Sequence, residues 1–254
     1  MEWFRINEMK ANSDKCHLII SNTSNVSAKI ENDIIQGKAS VKLLGITIDN
    51  NLNFNEHVSN LCKKASQKLH ALARVAKFME TNKLRIIMKS FIECQFNYCP
   101  LTWMFHSRIL NNRINKLHER ALRLVYKDTK YSFQELLEKD RSFTIHHRNL
   151  QKLAIEMFKA KNNLSPSLLS EIFSVYQPLY NLRNNRCWKN ENIRTVFYGT
   201  ETITYRGPKT WELVPYSIRE IKSLNKFKIE IKKWKPEGCT CRLCKPFIAN
   251  LGFL

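Results

Sequence analysis

The sequence predicts an α+β chain, with a small antiparallel β unit near its start and a mostly helical remainder. Three observations carry this. Between residues 15 and 49, short runs of strand-forming residues alternate with turn clusters of Asn, Asp and Ser. From Asn53 onward, apolar residues recur at three- and four-residue spacing in one segment after another. Hydrophobic residues make up 43% of the 254, with 14 Phe, 8 Tyr and 5 Trp, which supplies a core that disordered chains lack.

Trp3, Phe4, Ile6 and Met9 fall at helical offsets, as at the end of a helix, and residues 11–14 read as a turn. Residues 15–21 (KCHLIIS) read as a buried strand, and 26–30 as a half-exposed one. Asn32-Asp33 turns that strand back into Ile34-Ile35. Residues 41–49 (VKLLGITID) read as the last strand and the hinge into the helical remainder. Gly45 inside that run marks a bulge or a close backbone approach.

Asn53 with Glu56 has the pattern of a capping box, opening a helix to about residue 79. Val58, Leu61, Ala65, Leu69, Leu72 and Ala76 share one face of it, and Lys63, Lys64, Lys68, Arg74 and Lys77 the other. Thr81 is the expected cap of a second helix reaching residue 96, and Pro100 breaks the chain there. In the helix expected over 108–126, Arg113, Lys116, Arg120, Arg123 and Lys127 lie within about 80° of one another, beside an apolar stripe. A basic ridge on a helix seated on a core suits phosphate tracking. Ser132 and Glu135 form a second capping box, and 145–161 is helical, with Leu150, Leu153, Ala154, Met157 and Phe158 inward. The adjacent His146 and His147 point to different faces, unlike an i, i+4 zinc pair, and are read as structural. Ser165-Pro166 starts a short helix. Residues 193–197 and 202–205 are expected to pair as strands, Gly207 to Trp211 to turn into a helix, and 224–234 to be helical.

The net charge of +20 is unevenly placed. Residues 1–52 hold 6 basic and 6 acidic groups, residues 53–163 hold 21 and 9, and residues 164–254 hold 15 and 7. A neutral front and a basic remainder point to a polyanionic partner for the later part. The chain thus divides into three regions: 1–52, 53–163 and 164–254. No stretch is apolar enough to span a membrane, no signal peptide opens the chain, and the eight Cys are scattered, which implies an intracellular location, nuclear or cytoplasmic. A Gly-rich phosphate loop, G-x-S-x-G and H-E-x-x-H are all missing from the sequence, so no independent enzyme and no small-molecule substrate is expected.

Cys239, Cys241 and Cys244 form C-x-C-x-x-C. Three thiols within six residues could take zinc, but a structural site needs four ligands. No His follows Cys244, and Cys187 is the nearest other Cys, so the fourth ligand is open and a reduced, unliganded cluster is the alternative.

The order of these motifs resembles the back of the palm, the thumb and the C-terminal region of jockey-like non-LTR (LINE-type) retrotransposon reverse transcriptases. The resemblance rests on Trp3-Phe4, residues 9–21 (MKANSDKCHLIIS) and residues 42–49 (KLLGITID). It continues through Tyr98-Cys99-Pro100, Trp103, the 114–124 helix, residues 207–211 (GPKTW) and the Cys cluster before Gly252-Phe253-Leu254. It implies a palm edge over 1–52, a thumb over 53–163 and a C-terminal region over 164–254. Lys15 matches the motif D lysine, a proton donor to the leaving pyrophosphate in that family. Leu44, Gly45 and Ile46 match the primer grip. The basic helices, with Lys63, Lys64, Lys68, Arg113, Lys116, Arg120, Arg123 and Lys127, would hold element RNA or an RNA–DNA hybrid by its backbone. The family's Mg-binding carboxylates lie upstream of motif D, and this sequence holds no adjacent Asp–Asp pair. The expectation is an inactive 3′ remnant of such an element, with a domesticated RNA- or DNA-binding protein as the alternative.

Overall fold

The computed structural model describes residues 2–10, 12–21, 23, 26–30, 33–173, 188–189 and 192–244. It is mixed α and β and divides into two compact units, residues 1–64 and 65–254.

The first unit holds a short helix α1 (Glu2–Ile6) and two hairpins. Strand β1 (Ser27–Ile30) pairs antiparallel with β2 (Asp33–Gln36), placing Ala28 opposite Ile35. Strand β3 (Ser40–Leu43) pairs antiparallel with β4 (Ile46–Asp49), placing Val41 opposite Ile48. These are separate two-stranded sheets rather than one unit. The strand expected over 15–21 does not form. Asn12 Oδ1 accepts from the Asp14 N–H and winds Ser13–Lys15 into a 3-10 turn, leaving only single bridges, Leu18 to Gly37 and Ile20 to Thr23. The run over 41–49 is a hairpin, not one strand. Leu44 (φ 46°) and Gly45 (φ 88°) both take positive φ, the primed turn whose twist matches its flanking strands. Gly45 therefore serves a turn and not a bulge.

Helix α2 (Asn55–Ala76) is preceded by a junction that Asp49 organises. Its Oδ1 accepts from the Asn51 and Asn53 N–H groups at 3.1 Å, and its Oδ2 from Phe54 N–H at 2.7 Å. The expected Asn53/Glu56 box gives way to this arrangement, and Asn53 Oδ1 instead accepts from Asn55 N–H at 2.8 Å. Val58 and Cys62 of α2 are buried, and His57 Nδ1 accepts from the Thr47 N–H on β4.

In the second unit Ala65, Leu69, Leu72 and Ala76 continue the buried face of α2. Helix α3 (Thr81–Ile87) starts with Glu80 in the cap position, so Thr81 is its first helical residue. It runs on as a π turn (Met88–Ile92) and a 3-10 turn (Glu93–Phe96). Arg85 and Lys89 of this segment reach Asp140, and Glu93 reaches Arg148 and His118. Cys99 (φ 39°) stops this segment, and Pro100 opens α4 (Pro100–Trp103). The next helices are α5 (Arg108–Tyr126), α6 (Phe133–Asp140), α7 (Ile145–Lys161) and α8 (Ser167–Ile172). Ser107 and Thr144 cap α5 and α7, and Ser132 with Glu135 closes both arms of the box on α6.

The two strands expected over 193–205 are helical. Thr195 Oγ1 accepts from Gly199 N–H and Thr202 Oγ1 from Tyr205 N–H, capping α9 (Val196–Gly199) and α10 (Ile203–Leu213). The Gly207–Trp211 run lies inside α10 rather than leading into it. Helices α11 (Tyr216–Arg219) and α12 (Leu224–Ile231) complete the order. The core joins α7, α10 and α12: Met157, Phe158, Trp211, Phe227, Ile231 and Trp234 are all buried. The Phe158 and Phe227 rings stack at 4.3 Å, and Trp211 lies 5.9 Å from Phe227. Gly207 permits the close approach of α10 to α7, since a Cβ there would stand 2.7 Å from Met157 Sδ and 2.8 Å from Phe173 Cε1.

Two buried carboxylates tie the helices of this unit. Glu93 meets Arg148 Nη1 at 2.5 Å and lies 3.1 Å from His118 Nε2. Asp140 meets Arg85 Nε at 2.5 Å, Lys89 Nζ at 3.3 Å and Tyr126 Oη at 2.9 Å.

Candidate metal centre and candidate nucleic-acid interface

Helix α12 ends where Gln151 of α7 donates to the Trp234 carbonyl at 2.7 Å and the Lys232 carbonyl at 3.3 Å. Gly238 (φ 77°) then turns the chain into the C-x-C-x-x-C loop. The loop closes on itself, with Cys244 N–H donating to the Cys241 carbonyl, and Arg242 Nη2 anchors it to the Phe105 carbonyl. Cys241 is fully buried.

His146 meets this loop from α7. Its Nε2 lies 3.2 Å from Cys241 Sγ, although the two residues are 95 positions apart. His146 Nε2, Cys241 Sγ and Cys244 Sγ all lie within 4.8 Å of one another, a set able to hold a metal ion. Cys239 stands two residues before Cys241 and lines the cavity beside this set. Interaction with Cys241 and then with Cys244 lowers the Cys239 pKa to about 3. The Cys241 pKa is raised by its contact with Cys239 but lowered on balance, by Cys244 and then by His146. The Cys244 pKa is raised by the same two thiols and by burial. The cluster therefore shares protons among three sulfurs, as expected where like groups crowd. A cavity of about 310 Å³ opens beside it, lined in part by Asn115, His146, Cys239 and Cys244. His146 Nδ1 and Asn115 Oδ1 are both buried without a hydrogen-bond partner among the described residues.

The reading of the His pair as structural did not foresee that His146 belongs to a group able to hold a metal ion. Adjacency to His147 argues only against a pair on one helix face, whereas the partners of His146 come from the loop after α12. His147 lines the same cavity, with its pKa lowered to about 4 chiefly by burial and then by His146. A buried His at the second position of a helix was the one available signal, and it gives no hint of a partner 95 residues away.

The basic ridge lies on α5 as expected. Arg113, Lys116, Arg120 and Lys127 are exposed, while Arg123 is half-buried. Arg123 and Lys127 are held by neighbours in the structure. Arg123 Nη2 pairs with Glu119 at 2.7 Å and Arg123 Nη1 donates to the Thr129 carbonyl, while Lys127 Nζ donates to the Met79 carbonyl. The ridge borders a cleft of about 610 Å³ between α2 and α5. Leu69, Ala73, Ala76 and Leu124 make its apolar walls; Lys77, Arg120, Arg123 and Lys127 supply cations, against one carboxylate, Asp128. Phe78, 79% exposed, lies beside it with Lys77 Nζ 4.7 Å from its ring centroid. Lys63 and Lys64 are exposed on α2, and Lys68 stands 4.5 Å over the Phe91 ring.

Lys15 is exposed at the end of the 3-10 turn. Leu44 and Gly45 form the tip of the β3–β4 hairpin, with Leu44 83% exposed, and Ile46 is buried at the start of β4. Cys187 and residues 252–254 lie outside the described residues. Among the described residues no helix is long and apolar enough to cross a membrane. No protein-family model matches the chain, nor does any curated protein or any solved structure.

Proposed function

We propose that this chain is the thumb-like and C-terminal part of a jockey-like non-LTR retrotransposon reverse transcriptase, and that it holds nucleic acid by its backbone without catalysing nucleotide transfer. The observation that carries the reading is the cationic ridge of α5 beside an apolar-walled cleft. From Arg113 to Lys127 the ridge extends roughly 21 Å, or about six nucleotides of one strand. Arg120 and Lys127 line the cleft from that ridge and Lys77 from the side of α2, positions from which phosphates are held while sugars and bases face the apolar walls. Phe78 offers an exposed ring for a stacked base. The order of sequence motifs supports the family, and the lack of an Asp–Asp pair is why no polymerase step is assigned. Mg belongs to the full-length family in this reading. Zinc is the ion proposed for the Cys/His cluster, with an architectural role.

The test is fluorescence anisotropy of the full chain with a labelled RNA–DNA hybrid across a salt series. Affinity should fall steeply with salt. Lys116→Ala with Arg120→Ala should weaken binding across unrelated sequences and reduce the log–log salt slope by roughly one per lost phosphate contact. A flat salt response, or a double variant that binds as well as the parent, would sink the reading.

A further inference from the structure

We infer that Cys239, Cys241, Cys244 and His146 form a closed Cys₃His zinc site that clips the loop after α12 onto the start of α7. The inference rests on the zinc reading proposed above, whose ligand set it names, and is independent of the nucleic-acid reading. It begins with the three thiols, which the sequence brings within six residues of one another. Three ligands leave a structural zinc one short. The fold supplies the fourth: His146 Nε2 points at the loop, 3.2 Å from Cys241 Sγ.

The spacing suits the ion. Zinc–sulfur and zinc–nitrogen bonds of about 2.3 and 2.0 Å at tetrahedral angles put ligand atoms roughly 3.5–3.8 Å apart. The His146, Cys241 and Cys244 ligand atoms all fall within 4.8 Å of one another, and Cys239, two residues before Cys241, lines the same cavity as His146 and Cys244. Small adjustments of side-chain torsions close such a set. Soft sulfur donors with one imidazole select zinc over the hard, oxygen-seeking cations. With Nε2 on the metal the proton of His146 sits on Nδ1, and the unpartnered acceptor Asn115 Oδ1 lines the same cavity.

The consequence is a cross-link between distant parts of the second unit. The metal joins the first turn of α7 to a loop 95 residues later, so zinc binding and the docking of that loop are one event. Four protein ligands leave no open position, so the site holds structure and activates no water.

The experiment uses the full chain, purified reduced, with metal measured by plasma mass spectrometry and by cobalt substitution. One zinc per chain is expected, with a tetrahedral cobalt spectrum containing thiolate charge-transfer bands. His146→Ala should weaken zinc by more than the roughly 10–100-fold typical of losing an outer-shell partner. His146→Cys should keep zinc and strengthen the thiolate-to-cobalt band, a change that a merely packed His would not produce. Cys187→Ser should change nothing. Chelator should lower the melting temperature of the parent and leave His146→Ala unmoved. A chain that stays metal-free in zinc, a His146→Ala variant with full affinity, loss of zinc in Cys187→Ser, or iron in place of zinc would each overturn the assignment.

Discussion

Glu93 is a carboxylate that helical position alone would not mark as buried. It lies between α5 and α7, 4% exposed, against Arg148 and His118. Burial alone would raise its pKa, but the nearby His118 and the Arg148 charge hold it at about 2. The His118 pKa is itself lowered, chiefly by burial, so the charge opposite Glu93 at neutral pH is that of Arg148. Between the ordinary value of 4.5 and about 2 the unfolded chain binds more protons than the folded one. Stability is therefore present above about pH 4.5 and lost as pH falls toward 2, by on the order of 3 kcal/mol. Glu93→Gln should cost about 3 kcal/mol at pH 7 and flatten this acid limb in urea melts followed from about pH 6 down to roughly 2.5. An unchanged limb would show that Glu93 does not carry it.

Elements are fixed here by short polar devices and by close approaches. Gly207 lets α10 lie against α7, and a methyl group there would meet Met157 and Phe173 below 3 Å. Gly207→Ala should destabilise the chain by about 1–3 kcal/mol through overpacking, offset only slightly by its gain in helix propensity. Equal or higher thermal stability of the variant would mean that the helices can separate at no cost. In the first unit, the neutral His57 Nδ1 holds the Thr47 N–H of β4, and burial lowers the His57 pKa. A His with a depressed folded pKa loses its contribution as pH falls below the unfolded value of 6.5. The protection factor of the Thr47 amide, which already allows for the intrinsic slowing of exchange toward acid, should fall as pH drops below 6.5, and His57→Gln should abolish that fall.

At the scale of the whole molecule the two units are unequally built. Among the described residues of 1–52 the buried hydrophobic ones are Ile35 and Ile46, whereas α5 and α7 each bury an apolar face along most of their length. Ile34, Leu43 and Leu44 are exposed on the hairpins. Two-stranded sheets with so little burial are marginal in water. Under native conditions, amides of β1 to β4 should exchange through easy local opening, while those of α5 and α7 approach the global limit. Similar protection in both sets would indicate a better-covered hairpin pair than these burial patterns allow.

Local sequence settles whatever depends on neighbours a few residues apart. The spans of α5 and α7 come from their apolar period and from Ser107 and Thr144 beside them, and the Ser132/Glu135 box is fully formed. The cationic face of α5 comes from the same period. Where two local devices compete, the reading is weaker. The β-branched runs over 193–205 look like strands, but Thr195 and Thr202 can also cap helices, and caps with a core behind them prevail. In the 41–49 run, two positive φ angles at Leu44 and Gly45 turn one apparent strand into a hairpin. Pairings between residues far apart come from the fold alone: Glu93 with Arg148, the packing of Gly207 on Met157, and His146 with Cys241. Nothing in the pattern around His146 encodes a partner 95 positions away. That meeting exists because the α7–α10–α12 core sets where α12 ends, and the turn at Gly238 carries the cysteines from there to the start of α7.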